Sequence, residues 1–266
     1  MRLTIRHRTR YAWDDPVAGG LQELRLTPKT GHGQQVLGWS VSVDGGRHEL
    51  DFEDQHHNRV MLIGFEGPGH AITVTCSGAV ATEDRAGVIG RHAGFAPLWY
   101  FERETPLTRP GPGLRKLARA VATDAPIPRL HALSAALLDA MAYETGVTGA
   151  GTTAEEALAQ GAGVCQDHAH AFIACARLMG MPARYVSGYL FTDGQTRHPA
   201  SHGWAEAWVP DIGWVGFDIS NGVSPDARYV RVATGLDYAE AAPIRGLRFG
   251  GAGGETLSVD IEVAQQ

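Results

Sequence analysis

The chain changes its hydrophobic period once, and that change limits what it can fold into. Over roughly the first hundred residues, side chains suited to a buried face recur at alternate positions. Leu3, Ile5, His7 and Tyr11 do so first, then Leu24 and Leu26, then Trp39, Val41 and Val43, then Ile72, Val74 and Cys76. A period of two broken by glycine-rich punctuation is the pattern of an antiparallel β domain. Asp44-Gly45-Gly46 and Glu66-Gly67-Pro68-Gly69 are its clearest turn signals. His48, His56, His57 and His70 also lie here. The adjacent His56 and His57 would point to opposite sides of a strand, so they read as surface or structural residues rather than a metal pair.

Residues 105–113, Thr-Pro-Leu-Thr-Arg-Pro-Gly-Pro-Gly, are a linker by composition. They divide the chain into a β-rich, sandwich-like region at 1–105 and a second domain at 106–266 that includes the closing strand. Past the linker the period becomes helical, with Leu130, Leu133, Leu137 and Met141 on one stripe. Thr152 with Glu155, or Thr153 with Glu156, can form a capping box. A further helix opens at Cys165, behind Gly161-Ala162-Gly163-Val164. Its apolar face is Ala169, Phe172, Ile173, Ala176 and Met179, and Gly180 and Pro182 end it. Strand patterns return at 184–190, 202–209, 214–219 and 256–263. Helices followed by a sheet define an α+β arrangement.

Composition excludes several function classes. The formal charge of -6 and charged fraction of 20% give no reason to expect nucleic acid or an anionic membrane as partner. The first eight residues lack the apolar run of a signal peptide, and no window approaches the length of a membrane span. Cys76, Cys165 and Cys175 are odd in number and widely spaced, which does not make a disulfide framework. Cytoplasmic residence is the default expectation.

The chemistry concentrates around Cys165. Unpaired amides and the dipole at a helix start favour a thiolate, and the preceding glycines allow close backbone approach and N–H donors for an oxyanion. Asp167 sits in the same first turn. Cys175 and Cys76 read as small core residues. A thiolate nucleophile needs a base within about 3 Å and a group to hold that base. His202, Trp204, Glu206 and Trp208 share one face of their strand, and Trp214, Gly216 and Asp218 share one face of the next. An even register brings His202 and Asp218 together, whereas a one-residue slip separates them and leaves Glu206 as a rival partner. Cys165, His168 and His202 are the alternative metal-ligand set, a weak one without a second nearby cysteine.

Four blocks then carry a resemblance: 163–170 (GVCQDHAH), 180–189 (GMPARYVSGY), 201–208 (SHGWAEAW) and 213–218 (GWVGFD). In this order they resemble the bacterial transglutaminase-like cysteine protease family, and residues 1 to about 100 are similar to the β-rich region that precedes its core. The resemblance implies a papain-like transglutaminase core, with Cys165 as nucleophile, His202 as base and Asp218 as orienting acid. His168, Gly203 and Ile219 depart from the commonest pattern, which has an aromatic or apolar residue, Ala and Pro there. His168 would then line the site, with Asp167, Tyr189 and Trp204 as further substrate contacts, and Trp208 and Trp214 in an aromatic wall.

The expected reaction is acyl transfer on peptide or isopeptide amides of a peptide or protein substrate, through a thioester. Hydrolysis is the first reading, glutamine–amine crosslinking the second, and a non-catalytic binding module the third. Neither reaction requires a metal or an organic cofactor.

Overall fold

A computed structural model describes residues 1–121, 124–251 and 253–266. The chain opens with β1 (Arg2–Thr27), β2 (Gln34–Asp44), β3 (Arg47–Glu53), β4 (Arg59–Thr82) and the short β5 (Val88–Gly90). A 3-10 turn at Leu98–Glu102 leads to α1 (Pro112–Ala120), α2 (Pro126–Ala140), β6 (Ala142–Tyr143), α3 (Ala154–Gln160), β7 (Ala162–Gly163) and α4 (Cys165–Leu178). Then come β8 (Ala183–Leu190), β9 (Arg197–His198), β10 (His202–Val209), β11 (Gly213–Phe217), β12 (Tyr229–Gly235), α5 (Tyr238–Ala241), β13 (Ile244–Phe249) and β14 (Glu255–Gln265).

The N-terminal strands form a bent antiparallel sheet, ordered β2-β4-β1-β14-β9, with β13 on β1 and β3 on β4. Trp13, Val17, Leu24, Ile63, Phe65, Ile72 and Val74 fill the inside of the bend. Both turn signals named above prove to be kinks, not reversals. β2 and β3 run the same way along β4, from Gln34 opposite Thr82 to Glu53 opposite Arg59, with Asp44-Gly45-Gly46 between them. Glu66-Gly67-Pro68-Gly69 lies inside β4, where pairing with β1 shifts register. Gly45 allows the kink: its φ is +83°, and a Cβ there would sit 2.6 Å from the Ala71 carbonyl. The reversal between β3 and β4 falls at Asp54–Asn58, where Asp54 Oδ1 accepts from the amides of His56 and Asn58, each at 2.9 Å.

The closing strand also departs from expectation. β14 pairs with β1 from Leu3 opposite Gln265 to Trp13 opposite Glu255. Hydrogen bonding therefore puts it in the N-terminal sheet and not with the core that precedes it. Leu3, Ile5, Ile261 and Val263 pack on Tyr189, Phe191, Val230 and Val232 of the core. Asn58 stitches the two parts: its side chain accepts from Thr234 N (2.9 Å) and donates to Thr234 O (2.7 Å).

The second sheet, β12-β8-β10-β11-β5, carries α4 on one face. Ala205, Ala207, Val215 and Phe217 point to that helix, so by alternation Trp204, Glu206, Trp208 and Trp214 occupy the other face. Of the two candidate capping boxes, Thr153 with Glu156 forms. Glu155 instead reaches back to the start of α1, accepting from Gly111, Gly113 and Leu114 amides at 3.0, 2.7 and 3.1 Å. Arg177, in the last turn of α4, ties that helix to Phe101, Ala183 and Leu236 carbonyls and to the Thr108 hydroxyl.

Removing the Asn58 amide would orphan both backbone groups of a buried strand residue. Asn58→Ala is expected to lower stability by roughly 2–4 kcal/mol, read from urea unfolding. A change within about 0.5 kcal/mol would contradict this account of the junction.

Candidate active site

Cys165 starts α4 and is partly exposed, whereas Cys76 and Cys175 are buried. The glycine before it has a local cause. A Cβ on Gly163 would lie 2.6 Å from Asp167 Oδ2, and that oxygen accepts from Val164 N (2.8 Å) and the Thr148 hydroxyl (2.6 Å). Asp167 thus pins the helix start from inside and is only 1% exposed. Burial pushes the Cys76 thiol up to about 11 and the Cys175 thiol to about 12.

His202 begins β10. The pairing of Ala205 with Phe217 keeps an even register, so Asp218, just past β11, lies diagonal to His202 on the same face. His202 Nε2 donates to Asp218 Oδ2 at 2.6 Å. Three neighbours complete the carboxylate's shell. The Tyr229 hydroxyl and Asn221 Nδ2 donate to Oδ2, each at 2.7 Å, and the Ser220 hydroxyl donates to Oδ1 at 2.8 Å. Burial alone would raise the Asp218 carboxyl; the His202 bond and the other donors outweigh it and hold it below the usual range. Burial likewise disfavours a charged His202, but its bond to Asp218 and the neighbouring Cys165 thiol raise it well above the ordinary imidazole value. With Nε2 committed to Asp218, Nδ1 is the ring nitrogen left for the sulfur.

A cleft of about 560 Å³ opens over Cys165 and His202, bordered by Gln166, Tyr143, Ser220 and Asn221 from the core. Its far wall is Ile261 and Val263 of β14 with His198 of β9, so the N-terminal sheet builds part of it.

Of the four expected substrate contacts, Asp167, His168 and Trp204 are corrected by their burial. His168 is fully buried, its Nδ1 and Nε2 each 2.9 Å from a backbone carbonyl, of Val164 and Met141. Those bonds also remove it as a metal ligand, and no three His, Cys, Asp or Glu side chains among the described residues come together as a cation site. Trp204 lies on the sheet face away from α4, stacked on His202 with centroids 6.1 Å apart. Trp208 and Trp214 pack against each other on that face, so no tryptophan wall lines the cleft. Tyr189 borders the cleft, but its hydroxyl is engaged by His7 Nδ1 at 3.0 Å. The rival partner Glu206 is taken by Arg184 and Arg231 at 2.6 and 2.8 Å.

Sequence reasoning missed Tyr229, Ser220 and Asn221. The polar pair Ser220-Asn221, just past Ile219, was a readable turn signal; nothing local marks Tyr229, eleven residues after Asp218. It also left Gly203 unexplained. A Cβ there would fall 1.9 Å from the Tyr185 hydroxyl, so this tyrosine occupies the space an alanine would take.

This arrangement matches known families over most of the chain. Residues 115–219 match the transglutaminase-like superfamily and residues 3–81 the bacterial transglutaminase-like N-terminal region. An uncharacterized protein of Mycobacterium leprae (strain TN) is 30% identical over 278 residues, spanning 99% of both chains. A protein-glutamine gamma-glutamyltransferase of Pseudomonas aeruginosa is 33% identical over 107 residues, which is 34% of this chain and 15% of that one. In fold, the chain superposes with TM-score 0.78 and 21% identity on a crystal structure from Cytophaga hutchinsonii, covering 99% of this chain and 90% of the other. That protein is described, provisionally, as a cysteine protease. The chain belongs to the transglutaminase-like superfamily, with the bacterial transglutaminase-like N-terminal region ahead of that core.

Two outcomes test the geometry. By NMR the His202 imidazole is expected to titrate above 6.5, and Asp218→Asn to move the midpoint down, because burial then acts with less opposition. A midpoint unmoved by the variant would contradict the pairing. Gly203→Ala should cost about 1–3 kcal/mol by overpacking against Tyr185, and Tyr185→Phe should recover part of it in a double-mutant cycle. Additive losses in thermal unfolding would mean the two do not compete for space.

Proposed function

We propose that the chain is a cysteine-dependent acyl-transfer enzyme acting on peptide or isopeptide amides, with Cys165 as nucleophile, His202 as acid–base partner and Asp218 as orienting carboxylate. Water is the proposed acceptor. One observation carries the reading: the 2.6 Å bond from His202 Nε2 to Asp218 Oδ2, beside a partly exposed cysteine at a helix start.

The chemistry follows from those positions. Cys165 sulfur attacks the amide carbonyl carbon, and the resulting oxyanion is received by the Cys165 and Gln166 N–H groups at the start of α4, since those of Asp167 and His168 already donate to the Val164 carbonyl. His202 carries the proton and delivers it to the departing amine, leaving a thioester on Cys165. Water, deprotonated by His202, then attacks the thioester carbon. The acid leaves and the thiol is restored. Asp218 stays ionised throughout, fixing the ring orientation and stabilising its cationic form.

Hydrolysis is supported by the openness of the cleft, since a site that joins an amine must exclude water. Amine transfer is the second reading, supported by the matching segment of the Pseudomonas aeruginosa enzyme.

Both readings are tested by following peptide release from a labelled protein mixture together with incorporation of a fluorescent primary amine. Wild type is expected to release peptides, Cys165→Ala to do neither, and Asp218→Asn to lose about 10²–10⁴-fold in kcat/KM. Amine incorporation that outpaces release would transfer the conclusion to crosslinking. Peptide release by Cys165→Ala at the wild-type rate would remove the cysteine from the chemistry.

A further inference from the structure

Behind the Cys165–His202 cleft lies a second cavity, of about 230 Å³, on the sheet face away from α4. Its walls come from both parts of the molecule. The β1–β2 loop supplies Lys29 and His32, while β8, β10 and β12 supply Arg184, Trp204, Tyr229 and Arg231. The loop is fixed in place by Gln34, which donates to the carbonyls of Lys29 and Arg231, both at 2.9 Å, and accepts from Arg231 N at 2.8 Å.

Charge in this cavity is not balanced. Glu206 beneath it is the counter-ion, its two oxygens accepting from Arg184 Nε at 2.6 Å and from Arg231 Nε and Nη2 at 2.8 and 3.2 Å. One carboxylate therefore faces two guanidiniums and the Lys29 ammonium. The two other wall carboxylates are taken by their own neighbours, Glu83 by Arg85 and Asp226 by Arg228. Lys29 Nζ donates one hydrogen to the His57 carbonyl, which leaves two. Burial, then Arg231 and Arg184, push the Lys29 amine down to about 8, against the weaker opposing pull of Asp54 and Glu53.

One donor there is also unspent. The Trp204 indole N–H, on a side chain only 2% exposed, has no acceptor among the described residues. Buried donors without acceptors are costly and call for an explanation.

We propose that this cavity is a ligand site distinct from the cleft, and that it binds the phosphate or carboxylate group of a small anionic molecule. Guanidinium forks and a lysine ammonium are the donors such groups match. Tyr229 and Trp204, which line this cavity, also touch the pair beside the cleft: the first donates to Asp218 and the second stacks on His202.

Calorimetric titration of the full chain with inorganic phosphate, and separately with succinate, at constant ionic strength tests the proposal. Saturable binding of either anion is expected: phosphate alone assigns a phosphate ligand, succinate alone a carboxylate one. Lys29→Gln should weaken binding about tenfold or more, Lys29→Arg should retain it, and carbamidomethylation of Cys165 should leave it unchanged. No saturable binding of either anion, wild-type affinity in Lys29→Gln, or loss of binding on modifying Cys165 would each overturn the assignment.

Discussion

A carboxylate removed from water keeps its charge only where donors replace the water, and Asp218 is the point on which the core converges. Its donors come from three separate segments: His202 at the start of β10, Tyr229 at the start of β12, and Ser220 and Asn221 in the turn after β11. Misplacing any of these strands would leave a buried charge short of hydrogen bonds, a penalty of several kcal/mol. The even register of β10 and β11 is therefore tied both to the hydrophobic face on α4 and to this polar cluster. Glu206 repeats the logic further along the same face. Burial would raise it, but Arg184 and Arg231 hold it down to about 2.

The N-terminal sheet is part of the site's construction. β14 continues that sheet, buries Ile261 and Val263 against Tyr189 and Val230, and presents the same two residues to the cleft. His7 and Cys76, from β1 and β4, meet the Tyr189 hydroxyl. Packing that joins the two sheets is thus continuous with the wall of the cleft. Among the described residues no helix is long and apolar enough to cross a membrane.

How much of this was legible depends on the range of each signal. The change of period located the β-rich part, the glycines before Cys165 marked a helix start, and strand parity put His202 and Asp218 on a common face, given an even register. These are local patterns. Glycine clusters misled where they bend a strand, because a kink and a reversal use the same residues and differ only in what pairs beyond them. The partner of β14 lies some 250 residues away in sequence, by the pairing of Leu3 with Gln265, and no periodicity encodes that. Side-chain direction was the weakest inference. His168 and Trp204 stand in motif positions beside the reactive residues, yet one turns to backbone carbonyls and the other is buried against His202, out of the cleft. The spacing says who is near, and packing decides who faces the cleft.

Intact-mass analysis after brief, sub-stoichiometric iodoacetamide treatment near pH 6, comparing wild type with His202→Ala, addresses the central claim most directly. The account predicts one addition, located at Cys165 by peptide mapping and slowed about tenfold or more in the variant, because an unassisted thiol is mostly protonated at that pH. Equal labelling of Cys76, Cys165 and Cys175, or equal rates in the two proteins, would contradict an activated Cys165–His202 pair.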